Sequence, residues 1–521
     1  MRITYLGHAG FCVETPRAVL IMDPWLSAHG AFDSAWFQFP RNHHLATFVR
    51  DKLSDSRKER FLYISHEHKD HFDPAFLNSL EDRDFTLVIP HFRRPALRAA
   101  LADYRSKGLI SFTDGQEVTI PGGHLKLYLD DSGLNRDSAI LVRAGGQSFL
   151  NLNDCKVYDR LSSIAQEQGP ITAFACQFSG ATWHPTCYDY SPEVYRQISE
   201  HKYLSKFETV ARAIETIRPR IFLPSAGPAC FLDPMLLHLN FESVNIFPRA
   251  PKLLRYLGQR LDNSATQCMD IMPGDVLDVD SSQYVKRVSE RVSEDNFEVY
   301  IRSYAALYES FFVEQQAQNS ETEINTILER LRVELDRKLS ALTLRKRVVT
   351  PLYFALTDST RQIIRVDFVN GTVELASQIL DCNYYSIRAP SWCVARVLDR
   401  KLTWEDFALT FRMRLDREPD VYQTLVQGFL LMEPEDMNWF CTRLLNIEDM
   451  QERVVVEAGG ARYSIDRYCP HQGGDLSLGW AEQGRLWTCP RHRWLFDLER
   501  DGRCTTSGIT IRAVCLEADL S

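Results

Sequence analysis

Two short stretches near the end of the chain carry residues that could bind a metal cluster. They are "YCPHQGGD" at 468–475 and "TCPRHRWLFD" at 488–497, and each pairs a cysteine with a histidine. Two thiolates can hold one iron of a two-iron centre while two neutral imidazoles hold the other, which raises the reduction potential of the centre. This chemistry is the transfer of single electrons.

The donor set and its spacing predict a Rieske [2Fe-2S] cluster, with four ligands: Cys469, His471, Cys489 and His492. A structural zinc site with the same ligands is the alternative. Respiratory-chain Rieske proteins carry an extra cysteine pair, but here Gln472 and Arg491 stand at the neighbouring positions. The pattern is therefore typical of the ferredoxin and oxygenase type. A domain of only about 70 residues also has little core without a metal.

A second metal-binding pattern lies far upstream, in the stretch "YISHEHKDHFDP" at 63–74. We call its residues 66–71, "HEHKDH", the histidine motif. It follows a buried strand and has the H-x-H-x-D-H pattern of the metallo-β-lactamase fold. In that fold His66 and His68 would serve one metal, and Asp70 and His71 a second one. Asp154 would be the bridging carboxylate, since it also follows a strand.

Other residues fit this pattern less fully. His8 in "GHAGF" and Asp23 in "IMDPW" match residues in the opening strands of the fold. Each is predicted either to lie near the metal site or to be a structural turn residue. The histidine usual before the bridging aspartate is missing from "LDDSGLNRDS", which offers Asp130, Asp131 or Asn135 instead.

The histidine that the fold usually carries later in the sequence is missing as well, and "LPSAGPACF" stands in its place. His124 and His184 are spare candidates. The site is therefore predicted to hold one or two metal ions, and oxygen ligands beside histidines favour iron over zinc.

The patterning of apolar residues predicts the elements that position these groups. Residues 1–275 alternate short apolar runs with helical segments, which predicts an α/β, metallo-β-lactamase-like αββα sandwich. Residues 276–450 are predicted to be a helical and mixed accessory region, and residues 451–521 a small all-β Rieske domain.

Local signals refine this accessory region. Ser320 and Glu323 form a predicted capping box ahead of a leucine stripe. A hairpin turn is predicted at Asn370–Gly371, and Thr403 is predicted to cap an amphipathic helix over "TWEDFALTFRMRL".

Composition excludes several classes of partner and location. A formal net charge of -9 argues against nucleic acid as the main partner. No apolar run is long enough to predict a membrane span. Apart from Cys469 and Cys489, the 13 cysteines are scattered, as expected for free thiols in a reducing cytoplasm.

The two metal patterns together predict an oxygenase. A hydrolase has no use for an electron carrier, whereas splitting O2 during a hydroxylation needs two external electrons. The chain has no D/E-x-x-H-x-x-x-x-H stretch for the usual catalytic iron of Rieske oxygenases. The histidine motif with Asp154 is therefore the predicted catalytic iron site.

At this point the sequence resembles the CMP-N-acetylneuraminate hydroxylases, which join a Rieske domain to a metallo-β-lactamase-like oxygenase domain. The resemblance rests on "DPWLSAHGAFDSAWF", "FLYISHEHKDHF", "FSGATWHP", "LPSAGPACFLDP" and, more weakly, "WEDFALTFRMRLDREPDVY". That family places its Rieske domain first, whereas here it is last. The resemblance implies hydroxylation of a small molecule, such as a nucleotide sugar or a biosynthetic intermediate, by O2 and external electrons.

The resemblance also implies partners and a pocket. The electron donor would be a ferredoxin, a b-type cytochrome or a flavin reductase, and electrons would leave the cluster through His471 or His492. The oligomeric state is left open, and a homo-oligomer is one of the alternatives. Five residues are candidate pocket walls: Gln177, Ser179, Trp183, His184 and Ser225.

Three alternatives stay open. One is a metallo-β-lactamase-fold hydrolase that the Rieske domain regulates as a redox sensor. Another is an N-oxygenase of a biosynthetic pathway. The third is a flavodiiron-like protein that only reduces O2 or NO, although the chain lacks a flavodoxin phosphate loop.

Overall fold

The computed structural model describes residues 1–518 except 134–135, 181, 262–264, 288–290, 318, 360–361 and 483. The chain forms two compact units. The first contains Met1–Asp131, Asn135–Thr182 and Pro192–Phe312, and the second contains the remaining residues. The predicted division at residues 275 and 450 is finer than this grouping and stays a prediction.

The first unit contains two large sheets. Its strands are β1 (Arg2–Gly7), β2 (Gly10–Glu14), β3 (Ala18–Met22), β4 (Glu59–Tyr63), β5 (Thr86–Pro90), β6 (Gly108–Phe112), β7 (Glu117–Ile120), β8 (Gly123–Asp131), β9 (Arg136–Ala144), β10 (Gln147–Asn151), β11 (Ala173–Gln177), β12 (Ile221–Ser225), β13 (Gln267–Cys268), β14 (Val276–Asp278) and β15 (Gln283–Val285). Sheet one has the order β15-β14-β1-β2-β3-β4-β5-β6, and sheet two has the order β13-β12-β11-β10-β9-β8-β7.

Helices cover the outer faces of both sheets. They are α1 (Leu45–Leu53), α2 (Pro74–Asn78), α3 (Ala96–Ala100), α4 (Leu161–Gln168), α5 (Pro192–Ile217) and α6 (Ala250–Arg260). Two further helices, α7 (Phe297–Ala306) and α8 (Glu309–Gln315), pack in a separate apolar cluster with Phe37. One buried apolar cluster joins the inner faces of the two sheets, while α1–α3 pack on sheet one and α4–α6 on sheet two. This is the predicted αββα sandwich. Its central strand β3, with the sequence AVLIM, is apolar throughout, since both of its faces are buried.

Strand direction brings the chemical residues to one edge. β3, β4 and β5 are parallel, as are β10, β11 and β12. Ligands of α/β sheets bind beyond the carboxyl ends of such strands. Asp23 follows β3, the histidine motif follows β4, and Asp154 follows β10. We call this side of the sandwich the metal edge.

The second unit contains a mixed five-stranded sheet with helices and two small sheets. Its helices are α9 (Glu321–Ser340), α10 (Ser391–Leu398), α11 (Trp404–Leu409), α12 (Thr424–Leu431) and α13 (Pro434–Glu448). Its strands are β16 (Leu352–Leu356), β17 (Ile363–Asp367), β18 (Thr372–Ala376), β19 (Tyr384–Ala389), β20 (Arg414–Glu418), β21 (Arg453–Ala458), β22 (Ala461–Asp466), β23 (Trp480–Ala481), β24 (Leu486–Thr488), β25 (Leu495–Asp497), β26 (Arg503–Cys504) and β27 (Val514–Ala518). The last seven strands form the small sheets β21-β22-β27 and β23-β24-β25-β26.

Local sequence signals in this unit are largely confirmed. Ser320 and Glu323 form the capping box of α9, whose leucine stripe is buried. Asn370–Gly371 makes the turn between β17 and β18, and Thr403 caps α11. The helix predicted over 403–415 is too long, because Phe411 has a φ of 57° and no helix continues through that conformation. Across the described residues, no helix is long and apolar enough to cross a membrane.

Lys338 on α9 is a buried cation whose titration should affect stability. Its Nζ atom donates to the carbonyl of Leu430 and lies over the rings of Trp404 and Phe429. Burial lowers the pKa of Lys338 from 10.5 to about 7, although the charge of Glu433 raises it. Between these two pH values the unfolded chain binds more protons than the folded chain, so stability rises with pH.

We therefore expect the free energy of unfolding to rise by roughly 3 kcal/mol between pH 7 and pH 10, relative to a Lys338→Met variant. Urea unfolding of both proteins at the two pH values, followed by fluorescence, measures this difference. An equal pH response of the two proteins would contradict a neutral buried lysine.

Candidate metal centres

The histidine motif is held in a loop between β4 and α2. Asp73, which follows the motif, caps α2 by accepting a hydrogen bond from the Phe76 amide. The other carboxylate oxygen of Asp73 accepts hydrogen bonds from the amides of Leu26 and Ser27, at 3.0 and 2.7 Å. Glu67 within the motif pairs with the buried Arg136 guanidinium. These contacts fix the loop at the metal edge.

His66 and His68 point one ring nitrogen each at the same position. His66 Nε2 lies 2.8 Å from His68 Nδ1. Two ligand atoms that each bind one metal at about 2.1 Å are separated by roughly 3 Å. The other nitrogen of His66 lies 3.2 Å from Asp137 Oδ1 and 3.0 Å from Ser65 Oγ. The two imidazoles can therefore hold a first metal ion.

A second group of donors comes from His8, Asp70 and His71. One ligand atom from each of these buried residues lies within 4.8 Å of the others. Asp70 Oδ2 is 3.0 Å from His8 Nε2 and 3.9 Å from His71 Nε2. Asp154 Oδ1 lies 3.7 Å from His71 Nε2, where it could bridge two ions. This group can hold a second metal ion.

Unsatisfied polar atoms support a metal at this position. Among the described residues, three buried atoms of this group make no hydrogen bond, namely Asp70 Oδ1, His71 Nε2 and Asp154 Oδ1, and His8 Nε2 has only its ion-pair contact with Asp70. Buried polar atoms are almost always hydrogen-bonded, so each exception needs an explanation such as a bound ion. Nitrogen and carboxylate donors together suit iron and other divalent first-row metals. The residues therefore fit the predicted ions.

The charges of the site favour metal binding. Burial, reinforced by the charges of His71 and His68, lowers the pKa of His66 to about 3, so this ligand is neutral. Burial alone would raise the pKa of Asp70, but the charge of His71 and the contact with His8 hold it well below its usual range. Burial lowers the pKa of His71, yet Asp70, Asp23 and Asp154 outweigh it and raise the pKa to about 10. A metal ion replaces that proton when it binds.

Asp23 orients the second imidazole from behind. Its Oδ2 atom lies 2.8 Å from His71 Nδ1, and its two carboxylate oxygens accept hydrogen bonds from the Ser65 amide and hydroxyl at 2.8 and 2.6 Å. A carboxylate behind a metal-binding histidine fixes its tautomer and ring orientation. Asp23 is thus placed as a supporting residue.

Two residues of this site could not be assigned from the sequence: His8 was left with two alternative roles, and Asp137 was not identified. His8 lies in the β1–β2 turn with a φ of 51°, a conformation that non-glycine residues rarely adopt and that is common at functional sites. Asp137, which was not singled out, is the carboxylate beside His66. It lies opposite Asp130 in the β8–β9 register. Burial, with the charge of Asp154, raises the pKa of Asp137 well above its usual range.

The other suggested replacement ligands are placed as follows. Asp131 accepts a hydrogen bond from the Arg93 amide. Asn135 lies outside the described residues. His124 is half exposed on β8 and contacts Thr119 and Glu117.

A narrow cavity adjoins the second metal group. Its lining combines polar residues, aromatic rings and a loop after β12: His8, Asp70, Asp154, Gln177, Trp36, Phe231, Phe247, Gly180 and residues 226–229. Gln177 is a predicted pocket residue, and its Oε1 accepts a 2.6 Å hydrogen bond from the buried Lys206 ammonium. Ser225 lies opposite Gln177 in the register of β11 and β12. Ser179 donates to the Gly180 carbonyl.

Trp183 and His184, the remaining predicted pocket residues, belong to the second unit. Trp183 lines a separate apolar cavity with Phe354 and Trp404. His184 Nε2 lies 3.0 Å from the Tyr190 hydroxyl. The structure therefore does not group these two residues with Gln177 in one cavity, and their role stays a prediction.

The two cysteine–histidine stretches form matching loops in the second unit. The amide of Cys469 donates to the Gly474 carbonyl, and the amide of Cys489 donates to the Trp494 carbonyl. Both cysteines are buried, and burial together with the neighbouring Cys489 thiol raises the pKa of Cys469. Glycine is favoured at 474, since a Cβ there would lie 3.0 Å from Cys489 Sγ, which is closer than an ordinary van der Waals contact.

The histidines of these loops face each other as well. The ring centroids of His471 and His492 are 4.8 Å apart, and His471 stacks on Trp494 at 4.0 Å. Two buried thiols beside two imidazoles fit a [2Fe-2S] cluster of the Rieske type. All four predicted ligands are thus brought together.

We expect His8→Ala to lose about one metal ion per chain, because it removes a ligand of the second group. Metal analysis after anaerobic loading with Fe(II) and desalting measures this loss. The matched control is His124→Ala, which removes a half-exposed imidazole outside the group. Full metal content in His8→Ala would show that His8 is only a turn residue.

Cys489→Ser should abolish the cluster but leave the other metal site loaded. A thiolate ligand is lost in the small domain, whereas the histidine motif lies in the first unit. Visible absorption and the EPR signal of the reduced cluster report the first effect, and iron content the second. Retention of the Rieske signal would contradict this ligand assignment.

Comparison with known proteins places these sites in context. Residues 430–510 match the Rieske [2Fe-2S] domain family. The chain is 27% identical to a protein of Mycolicibacterium smegmatis named as a Rieske 2Fe-2S iron–sulfur protein, over 98% of this chain and 99% of that one. It is 22% identical to cytidine monophosphate-N-acetylneuraminic acid hydroxylase of Xenopus laevis, over 81% of this chain and 70% of that one.

Among solved structures it is similar to CmlA, a diiron β-hydroxylase from Streptomyces venezuelae, with a TM-score of 0.34 and 13% identity over 53% of each chain. The family match favours [2Fe-2S] over structural zinc in the two loops. The chain therefore carries a C-terminal Rieske [2Fe-2S] domain.

Proposed function

We propose that this protein is a Rieske-dependent non-haem iron oxygenase that hydroxylates a small-molecule substrate with O2 and external electrons. The observation that carries the proposal is the presence, in one chain, of a Rieske domain and a buried histidine–carboxylate site. An electron carrier serves a reaction that consumes electrons, and hydrolysis is not one.

The chain's own residues supply ligands and support for this reaction. Bound iron would activate O2, and the [2Fe-2S] cluster would deliver electrons one at a time. Six residues would hold the metal: His8, His66, His68, Asp70, His71 and Asp154. Asp23 keeps the imidazole of His71 in place, so that the donor atoms need little rearrangement when metal binds.

The cavity beside the second metal group is the proposed substrate site. Trp36, Phe231 and Phe247 form the aromatic part of its lining. Gln177 is held by Lys206 through its oxygen, so its amide N–H groups can donate to an oxygen atom of the substrate. A substrate that presents an apolar group to the metal and an acceptor oxygen to Gln177 fits this lining.

A relative is named for hydroxylation of a sialic-acid nucleotide, so CMP-N-acetylneuraminate is the first substrate to test. Intermediates of other biosynthetic pathways are the second class. The electron donor we propose is a ferredoxin, a b-type cytochrome or a flavin reductase.

The first test is metal content and EPR on anaerobically purified protein, before and after dithionite. We expect roughly three or four irons per chain, two of them in the cluster, and little zinc. A reduced Rieske signal with one or two zinc ions instead of further iron would overturn the oxygenase and favour a redox-regulated hydrolase.

The second test is incorporation of label from 18O2 into a product, with an Asp154→Asn variant as the comparison. Loss of the proposed bridging carboxylate should lower product formation by roughly 100-fold or more, while the Rieske signal stays unchanged. The control is His124→Ala, which should keep full activity. Label that comes from water rather than O2 would also contradict the proposal.

A further inference from the structure

A chain of buried polar contacts reaches the outer nitrogen of His471. The Gln472 amide nitrogen lies 3.1 Å from His471 Nε2, and Gln472 Oε1 lies 2.9 Å from the Ser132 hydroxyl. Gln472 is 1% exposed and Ser132 is 2% exposed. Ser132 follows β8 along the chain and is grouped with the second unit. Such a contact is protected from water.

The contact with Gln472 indicates which ring nitrogen of His471 would bind the cluster. Nε2 of His471 is engaged by Gln472, so Nδ1 is left to bind iron. A neutral imidazole that binds iron through Nδ1 carries its proton on Nε2 and donates from there. The two ends of an amide have nearly the same shape, so the carboxamide of Gln472 can turn its oxygen to accept this hydrogen bond. Its NH2 group then donates to the Ser132 hydroxyl.

Neighbouring rings hold His471 in this position. Trp494 is stacked on the imidazole with an angle of 10° between the rings, and Tyr422 meets it edge-on at a centroid distance of 6.1 Å. His471 is only 6% exposed, whereas His492 is half-buried. The two histidines therefore differ in exposure, and Gln472 contacts His471.

We propose that Gln472 is a positioning residue that sets the reduction potential of the Rieske cluster by accepting a hydrogen bond from His471. Ser132 holds the amide of Gln472 in the required orientation. Acceptance of a hydrogen bond from the outer nitrogen makes an imidazole a stronger electron donor to its metal. A stronger donor stabilises the oxidised cluster and lowers its reduction potential.

This inference does not depend on the proposed oxygenase reaction, since it concerns the cluster alone. It is tested on the full-length protein by reductive titration of the cluster with dithionite, followed by absorption and EPR. Gln472→Leu keeps a similar volume but accepts no hydrogen bond, so the potential should shift to a more positive value. Gln472→Glu offers a stronger acceptor, so the potential should shift to a more negative value.

Two further variants sharpen the test. Ser132→Ala leaves Gln472 in place but removes its support, so its potential should lie between those of the wild type and Gln472→Leu. The control is Ser464→Ala, which alters a serine of β22 that contacts Arg453, and its potential should equal that of the wild type.

We expect the reduction potentials to rise in the order Gln472→Glu, wild type, Ser132→Ala and Gln472→Leu. The proposal is overturned if Gln472→Leu and Gln472→Glu shift the potential in the same direction, or match the wild type with an intact Rieske spectrum. If Gln472→Leu does not retain its cluster, the potentials of Gln472→Glu and Ser132→Ala test the proposal, because both of these variants keep a polar side chain at position 472.

Discussion

A buried carboxylate at the end of β3 is the interaction on which the metal edge depends. Asp23 binds the backbone and hydroxyl of Ser65 and at the same time the back of the His71 imidazole. It thereby connects two parallel strands and fixes the histidine motif relative to both. A buried carboxylate is costly unless hydrogen bonds satisfy it, so these three contacts also explain why the group is tolerated.

The same principle recurs at other candidate ligands. His66 has Asp137 behind it, His71 has Asp23, and His471 has Gln472. In each pair one ring nitrogen is engaged by a side chain, and the other is the candidate metal-binding nitrogen. Outer contacts of this kind orient ligands and tune the metal. The acceptor differs in charge, being a carboxylate at the metal edge and an amide in the Rieske loops.

The sequence was most informative where ligands are neighbours in the chain. The histidine motif and both Rieske loops could be read directly, because each brings its donors together within a few residues. His8 and Asp137 reach the site from other strands, so only tertiary structure brings them to His66 and Asp70. Trp183 and His184 lie a few residues from Gln177, yet the chain enters the second unit between them. Phe411 ended a helix that periodicity alone would have extended.

The position of β1 has a consequence for the order in which the protein folds. β1 lies between β2 and β14 in its sheet, and Arg2 faces Asp278. Contacts between residues so distant in the chain form late, since closing a long loop costs entropy before the contact can repay it. The turn that carries His8 is attached to this strand. During synthesis one side of β1 therefore stays without its strand partner until β14 has left the ribosome, whereas the pairing of β1 with β2 needs only the first residues of the chain.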